Sequence, residues 1–371
     1  MWVQSLCLVN FRNYVLLKIN FQQKVNILFG GNAQGKTNLL ESLSFLASGR
    51  SFRTRSDAET VLWGQTTGVA EGKVVHSMGE NCLKVSVDLH EKEKKYLTDG
   101  VFCSRQEYLG RLTTVLFTPE DLLLAKGGPQ VRRRFLDEEI GKVSPLYEAE
   151  LLRYQHLLKQ RNHLLRISGK KFVTSAELES WDEQLAKIAA IILRKRRAAV
   201  YRISLLARLA HRRLTGRKES LEISYLSTVP FGDKDDEEKL AEAMLAGLAA
   251  KRGQELRFGL TLVGPHRDDL RIVLNNRDAR HFASQGQQRT LVLALKLAEL
   301  EYVKGETGEF PVLLFDDVFS ELDESRRQFL METVDGRAQT FITGTEVEKF
   351  RDLKKYGATF QVCQGEVRAL D

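Results

Sequence analysis

Long hydrophobic runs are missing from this chain: no window approaches the ~18 uninterrupted apolar residues of a membrane-crossing helix. The first residues also lack the basic region, apolar core and small-residue cleavage site of an export signal. Both absences argue against a membrane role and lead to the expectation of a cytoplasmic protein. Cysteine is scarce. Cys7, Cys82, Cys103 and Cys363 are too far apart for the paired spacing of a zinc or redox site, so they are expected as reduced core residues. Histidine does not occur after His281. Acidic residues are few between Leu151 and Lys218, where 17 lysines and arginines stand against 4 aspartates and glutamates. That segment carries +13 and the whole chain +7, which leaves −6 for the rest. One stretch thus holds the basic field, which points to a polyanion contacted mainly there.

With 371 residues and 43% hydrophobic content, the chain has room for two to three domain-sized units. Its organising stretch is Gly30 to Thr37, GGNAQGKT, which fits the phosphate-loop template of Gly, four residues, Gly, Lys and Ser or Thr. Val25 to Phe29 before it is an apolar run of strand length, and Leu39, Leu40, Leu43 and Leu46 after it recur at helical spacing. In such a strand, loop and helix the backbone N–H groups of Gly30, Gly31, Asn32, Ala33, Gln34 and Gly35 turn toward phosphate oxygens at the positive end of the helix. Lys36 would reach the β- and γ-phosphates, and the Thr37 hydroxyl would take a Mg²⁺ position. The second strong signal is Pro311 to Asp317, a buried-strand pattern ending in Asp316 and Asp317, a fitting place for Mg²⁺ and the attacking water.

The remaining elements follow from local patterns. Trp2 to Val9 and Leu16 to Phe21 alternate as two strands around Asn10–Phe11–Arg12–Asn13–Tyr14. Arg50, Arg53 and Arg55 surround Phe52 in an expected loop, a pattern suited to phosphate or single-strand contact and equally to a solvated loop. Short alternating runs from Val69 to Val101, with Thr98–Asp99–Gly100 as a turn, predict an antiparallel sheet. From about 120 to 258 the pattern is helical, and the head-like remainder is expected over 1–119 and 259–371. A helix starting at about Pro145 and another capped by Thr174 with Glu177 form a predicted antiparallel hairpin. The second would run to Gly216 with Trp181, Leu185, Ile188, Ile192, Ile203, Leu206 and Leu209 inward, and Arg194 to Arg197, Arg202, Arg208, Arg212 and Arg213 forming a basic surface. Arg194, Arg196 and Arg197 are the first candidates for contact with the phosphates of that polyanion, with Arg50, Arg53 and Arg55 as the alternative surface. Leu260 to Val263 and Leu270 to Leu274 read as strands around the polar turn Gly264 to Asp269. Ser284 to Arg289 leads straight into a helix and could form a second anion site, although a plain helix cap looks the same. The strand Thr340 to Thr343, another helix and a strand near Phe360 complete the pattern.

Taken in order, Asn10 to Tyr14, Gly30 to Thr37, Gly49 to Arg53, Pro119 to Leu122, Gly264 to Asp269, Ser284 to Arg289 and Asp316 to Asp323 resemble the ATPase heads of the ABC class. More narrowly, they resemble the RecF family within the DNA-working, SMC-type subgroup, over almost the whole chain. The resemblance implies an α/β fold, an ABC-type phosphate-loop head of mixed sheet with flanking antiparallel strands and an inserted all-helical lobe. It further implies that Arg12 joins the phosphate loop in holding ATP, and that Ser284, Gly286 and Gln287 cap the ATP of a second subunit in an ATP-dependent homodimer. Lys36, Asp316 and Asp317 would then carry slow hydrolysis, with Thr37 and Asp316 at Mg²⁺. Two departures from the general ABC pattern favour slowness: Asp317 replaces the usual glutamate, and the switch histidine is absent, with Thr343 near its place. DNA is the implied partner, with RecR and RecO beside it. The rival is a phosphate-loop kinase acting on a small molecule, which explains Gly30 to Thr37 and Asp316 but leaves Ser284 to Arg289 and the basic hairpin without use. A transporter ATPase subunit does not predict the basic helical segment.

Overall fold

The structure is a computed structural model describing residues 1–167, 175–232, 235–345 and 357–370. The expected cap at Thr174 and the helix between Gly344 and Gly357 lie outside these residues. The chain divides into two compact units, 1–121 with 299–371, and 122–298.

In the first unit, β1 (Trp2–Phe11) and β2 (Tyr14–Asn20) pair as a hairpin whose two-residue turn leaves Phe11 and Tyr14 in the core. β3 (Val25–Phe29) is buried on both faces and runs into the phosphate loop, then α1 (Lys36–Ser48). Next come β4 (Thr67–His76), β5 (Gly79–Asp88), β6 (Glu93–Thr98) and β7 (Val101–Cys103). They form the antiparallel sheet β2-β1-β4-β5-β6-β7, with Asp99 and Gly100 both at positive φ in its last turn. α2 (Arg105–Tyr108), closed by a Ser104/Glu107 capping box, leads to β8 (Thr114–Phe117).

The second unit holds α3 (Leu123–Lys126), α4 (Pro129–Val143), α5 (Pro145–Ile167), α6 (Ser175–Leu214), β9 (Leu221–Leu226), α7 (Glu237–Phe258), β10 (Asp269–Leu274), β11 (Arg277–Asp278) and α8 (Ala279–Phe282). α9 (Gln285–Thr307) begins here. The lobe is therefore not all-helical: it contains the antiparallel sheet β11-β10-β9. Pairing of β10 with β9 also explains why residues 259–298, expected with the head, fall in this unit. Leu260 to Val263 form no strand; they cross a buried knot in which Arg161 donates to Asp182 and Glu255, both at 2.6 Å, and to the Thr261 hydroxyl at 2.8 Å. The 40 residues of α6 span ~60 Å at 1.5 Å per residue. Leu185, Ile188, Ile192 and Ile203 face inward as expected, whereas Leu209 is exposed.

The first unit resumes with β12 (Val312–Phe315), α10 (Glu324–Val334), β13 (Thr340–Gly344), β14 (Gly357–Cys363) and β15 (Glu366–Leu370). The second sheet of this unit has the order β15-β14-β3-β13-β12-β8, parallel except for β15. α1 is packed between the two sheets: its Leu39, Leu40, Leu43 and Leu46 share one core with Val3, Leu6 and Val85 on one side and Leu28, Leu314 and Phe341 on the other. Burial of a leucine side chain contributes about 1.5–3 kcal/mol, so this helix is fixed from both faces and can hold its N-terminus rigidly. The cysteines are free but none lies in the core, because Cys82 and Cys363 are exposed and Cys7 and Cys103 half-buried.

Candidate nucleotide-binding site

The parallel sheet places the C-terminal ends of β3, β13 and β12 side by side, the usual binding edge of such sheets. Gly30 passes so close to Val362 that a Cβ there would lie 2.2 Å from its carbonyl oxygen. Gly35 sits at φ 119, with Asn13 and Tyr14 where a side chain would go, and leads directly into α1. The loop is braced from outside: Asn13 Nδ2 donates to the Gln34 carbonyl at 3.1 Å and Tyr14 OH to that of Gly35 at 3.0 Å. Gln34 accepts the Gln364 N–H on its side chain at 2.8 Å. Asn32 and Ala33 are exposed at the loop's crest, Ala33 with φ 62.

Lys36 Nζ donates to the carbonyls of Gly30 and Gly31, both at 2.8 Å. Burial lowers its pKa, and the charges of Asp317 and Asp316 oppose that shift. Thr37 Oγ1 donates to Asp316 Oδ1 at 2.8 Å. Asp316 is 8% exposed, and its carboxyl pKa is raised by burial first and by Asp317 as well, against the hydrogen bonds from Thr37 and Thr343. An added cation would relieve that burial cost. The Thr37 and Asp316 oxygens also suit Mg²⁺, since 2.0–2.1 Å octahedral bonds put neighbouring ligands ~2.9 Å apart. Among the described residues no group of three or more His, Cys, Asp or Glu could hold a metal, so phosphate and water would complete the shell. Asp317, at φ 55 and ψ 4, starts the turn after β12, and its N–H is held by Thr343 Oγ1 at 2.9 Å.

Arg12 lies beside α1, its Nε and Nη2 on the two oxygens of Glu41 at 2.9 and 2.5 Å. Glu41 is 0% exposed and also accepts from Ser51 at 2.5 Å and Arg53 at 3.4 Å, while Arg53 donates to Asn38 at 2.6 Å. Sequence reasoning missed this carboxylate, because Thr37, Asn38 and Ser44 stand one turn away from Glu41 on α1 and an acid among polar neighbours reads as a solvated position. Arg50, Arg53 and Arg55 are all exposed.

Ser284, Gly286 and Gln287 belong to the second unit. They open α9 as a capping box: Ser284 Oγ accepts the Gln287 N–H at 3.3 Å, and Gln287 Oε1 accepts the Ser284 N–H at 2.9 Å. The basic trio of α6 separates. Arg194 is exposed and ion-paired with Glu237, and Arg197 holds the carbonyls of Gly232 and Asp235 while lying over Phe231. Arg196 is 2% exposed and cannot meet DNA: it donates through Nε and Nη2 to Asp137, both at 2.9 Å, and through Nη1 to the Pro265 carbonyl at 2.6 Å. Exposed cations continue along the helix at Arg202, Arg208, Arg212 and Arg213.

The RecF/RecN/SMC N-terminal domain family matches residues 2–368. A DNA replication and repair protein RecF from Natranaerobius thermophilus is 41% identical over 100% of this chain and 99% of its own length. The chain belongs to the RecF family. Another RecF, from Lysinibacillus sphaericus, is 40% identical over 99% of both chains. Among solved structures, a recombination mediator RecF with ATP, described as part of the RecFOR pathway, is 34% identical with a TM-score of 0.92 over 100% of this chain and 98% of that one. An Smc head from Pyrococcus furiosus shares the fold alone, at 15% identity and a TM-score of 0.56 over 100% of this chain and 96% of that one. RecF-family membership and this fold agree with the ABC-type ATPase architecture that the motif order implies. No described helix is long and apolar enough to cross a membrane.

Proposed function

We propose that this RecF-family chain is a cytoplasmic, ATP-gated DNA-binding protein of recombinational repair that pairs with a second copy of itself on ATP and is reset by slow hydrolysis. The observation carrying this reading is the junction of Lys36, Thr37, Asp316 and Asp317 at one sheet edge. The names of its relatives, DNA replication and repair protein and recombination mediator with ATP, support the biological role. The RecFOR pathway of the solved relative supports RecR and RecO as partners.

In this reading Lys36 exchanges two loop carbonyls for phosphate oxygens, and the backbone from Gly30 to Thr37 supplies N–H donors at the α1 N-terminus. Thr37 and Asp316 hold Mg²⁺, which when bound would offset phosphate charge. Asp317 takes the proton of the attacking water, and its reach, one methylene shorter than glutamate, favours a slow reaction suited to a switch. Ser284, Gly286 and Gln287 of a second copy meet the γ-phosphate through the first turn of α9, and Arg12 supports the nucleotide from the β1–β2 turn. DNA lies on the exposed cations of the lobe, Arg194, Arg202, Arg208, Arg212 and Arg213, with Arg50, Arg53 and Arg55 as a further basic surface.

Light scattering and DNA-binding titrations with and without Mg-ATP test the proposal together. ATP should raise both the dimer fraction and the DNA affinity. If neither changes, the gating fails; phosphoryl transfer to a small molecule by a monomer would establish the kinase instead.

A further inference from the structure

β13 lies between β3 and β12, so its end emerges between the phosphate loop and the paired aspartates, carrying Thr343, which is 1% exposed. Paired ladder residues of β12 and β13 end at Phe315 and Ile342. Asp316 sends its N–H the other way, to the Phe117 carbonyl at 2.9 Å, and the next N–H on the β13 side is that of Asp317. It meets the Thr343 hydroxyl at 2.9 Å in place of a backbone carbonyl. The same Oγ1 stands 3.2 Å from Asp316 Oδ1 and 3.3 Å from the Phe315 carbonyl. A hydroxyl has one proton and two lone pairs, so it can give that proton to either oxygen while a lone pair keeps the amide.

This matters because Asp317 is held at φ 55, a left-handed conformation that L-residues adopt at a cost and keep only where the surroundings hold them. We propose that Thr343 is a positioning residue for hydrolysis: its hydroxyl pins the left-handed Asp317 peptide beside Asp316, and its proton turns between Asp316 and the Phe315 carbonyl as Asp316 gains or loses a cation. The catalytic part rests on the hydrolysis reading above; the pin itself does not. Valine has the shape of threonine without the lone pair, whereas serine keeps it.

The test compares wild type, Thr343→Val and Thr343→Ser by site-resolved hydrogen exchange without nucleotide, by ATP calorimetry and by single-turnover hydrolysis. The Asp317 amide should be protected in wild type and Thr343→Ser, and exchange at least ~10-fold faster in Thr343→Val, the scale of one buried hydrogen bond lost. Hydrolysis should slow at least ~10-fold in Thr343→Val with ATP affinity kept, and recover in Thr343→Ser. Wild-type exchange and hydrolysis in Thr343→Val overturn the proposal. An unprotected Asp317 amide in wild type overturns it even if the valine variant does not fold. A wild type that never hydrolyses ATP refutes the hydrolysis reading and the catalytic role of Thr343 with it, and the exchange data then decide the pin alone.

Discussion

Replacing Arg196 by alanine is expected to destabilise the lobe and to leave the DNA surface as it was. The guanidinium is 2% exposed, and it binds Asp137 through two nitrogens, both at 2.9 Å, and the Pro265 carbonyl at 2.6 Å. Removing one partner of a buried ion pair costs about 3–5 kcal/mol, because the other charge stays buried without it. The Asp137 side chain is 17% exposed, so water offsets part of that loss and the lower half of the range applies. For a unit of 150–250 residues each kcal/mol lowers the transition by about 2–4 °C, which gives a drop of roughly 6–16 °C. Thermal unfolding by circular dichroism measures it. Removing Asp137 as well, in Arg196→Ala/Asp137→Ala, should recover part of the loss, since the stranded carboxylate is gone. Arg208→Ala is the contrast: at an exposed position it should change stability by no more than ~0.5 kcal/mol. It should reduce the salt slope of duplex binding by about 0.9 if it meets one phosphate. An Arg196→Ala protein that melts like wild type yet loses ~0.9 of salt slope would refute the reasoning, because the side chain would then be on the surface in solution.

Lys36→Ala should weaken ATP binding at least ~10-fold in calorimetry, from the ~1.5–3 kcal/mol of a charged hydrogen bond; unchanged affinity would reject the site. Asp317→Asn should keep ATP binding and slow single-turnover hydrolysis by ~10²–10⁴, and an unchanged rate would move the proton-accepting role to another acid. Ser284→Arg should bind ATP yet fail to dimerise in light scattering, whereas dimerisation at wild-type strength would remove the contact across subunits. Burial lowers the pKa of His266 to about 4, against 6.5 for an ordinary histidine. The unfolded chain therefore takes up a proton first as pH falls, and ~3 kcal/mol of stability present above pH 6.5 is lost toward pH 4. Urea unfolding from pH 7 to 4.5 should show a shallower slope in His266→Asn, and equal slopes would exclude this histidine as the cause.

The features legible in the chain were those contained in a few consecutive residues. A phosphate loop needs eight residues in a row with a strand before and a helix after, and Gly30 to Thr37 between β3 and α1 meets that locally. Alternation and helical spacing likewise marked β1, β2, β10 and α6, because each reflects one face buried along one element. Membership of the RecF family was readable for the same reason, as an order of short motifs. The capped start of α9 was visible as Ser284 with Gln287, although a cap and an anion site share that pattern.

Strand order was not legible, since no residue in β13 states that its neighbours will be β3 and β12. That order alone brings Thr343 to Asp316 and Asp317, 27 and 26 positions away in sequence. The lobe boundary was lost in the same way, because β10 joined a partner far back in the chain, with Ile272 opposite Ile223, 49 positions earlier. Arg196 is the sharpest case. Counting charge assigned it to the surface, yet it lies four residues after Ile192 and four before Val200, on the buried side of α6. A cation can stay on an apolar face only if acceptors replace the water it gives up. Asp137 and the Pro265 carbonyl do so from 59 positions before and 69 positions after it, and only the folded chain brings them there.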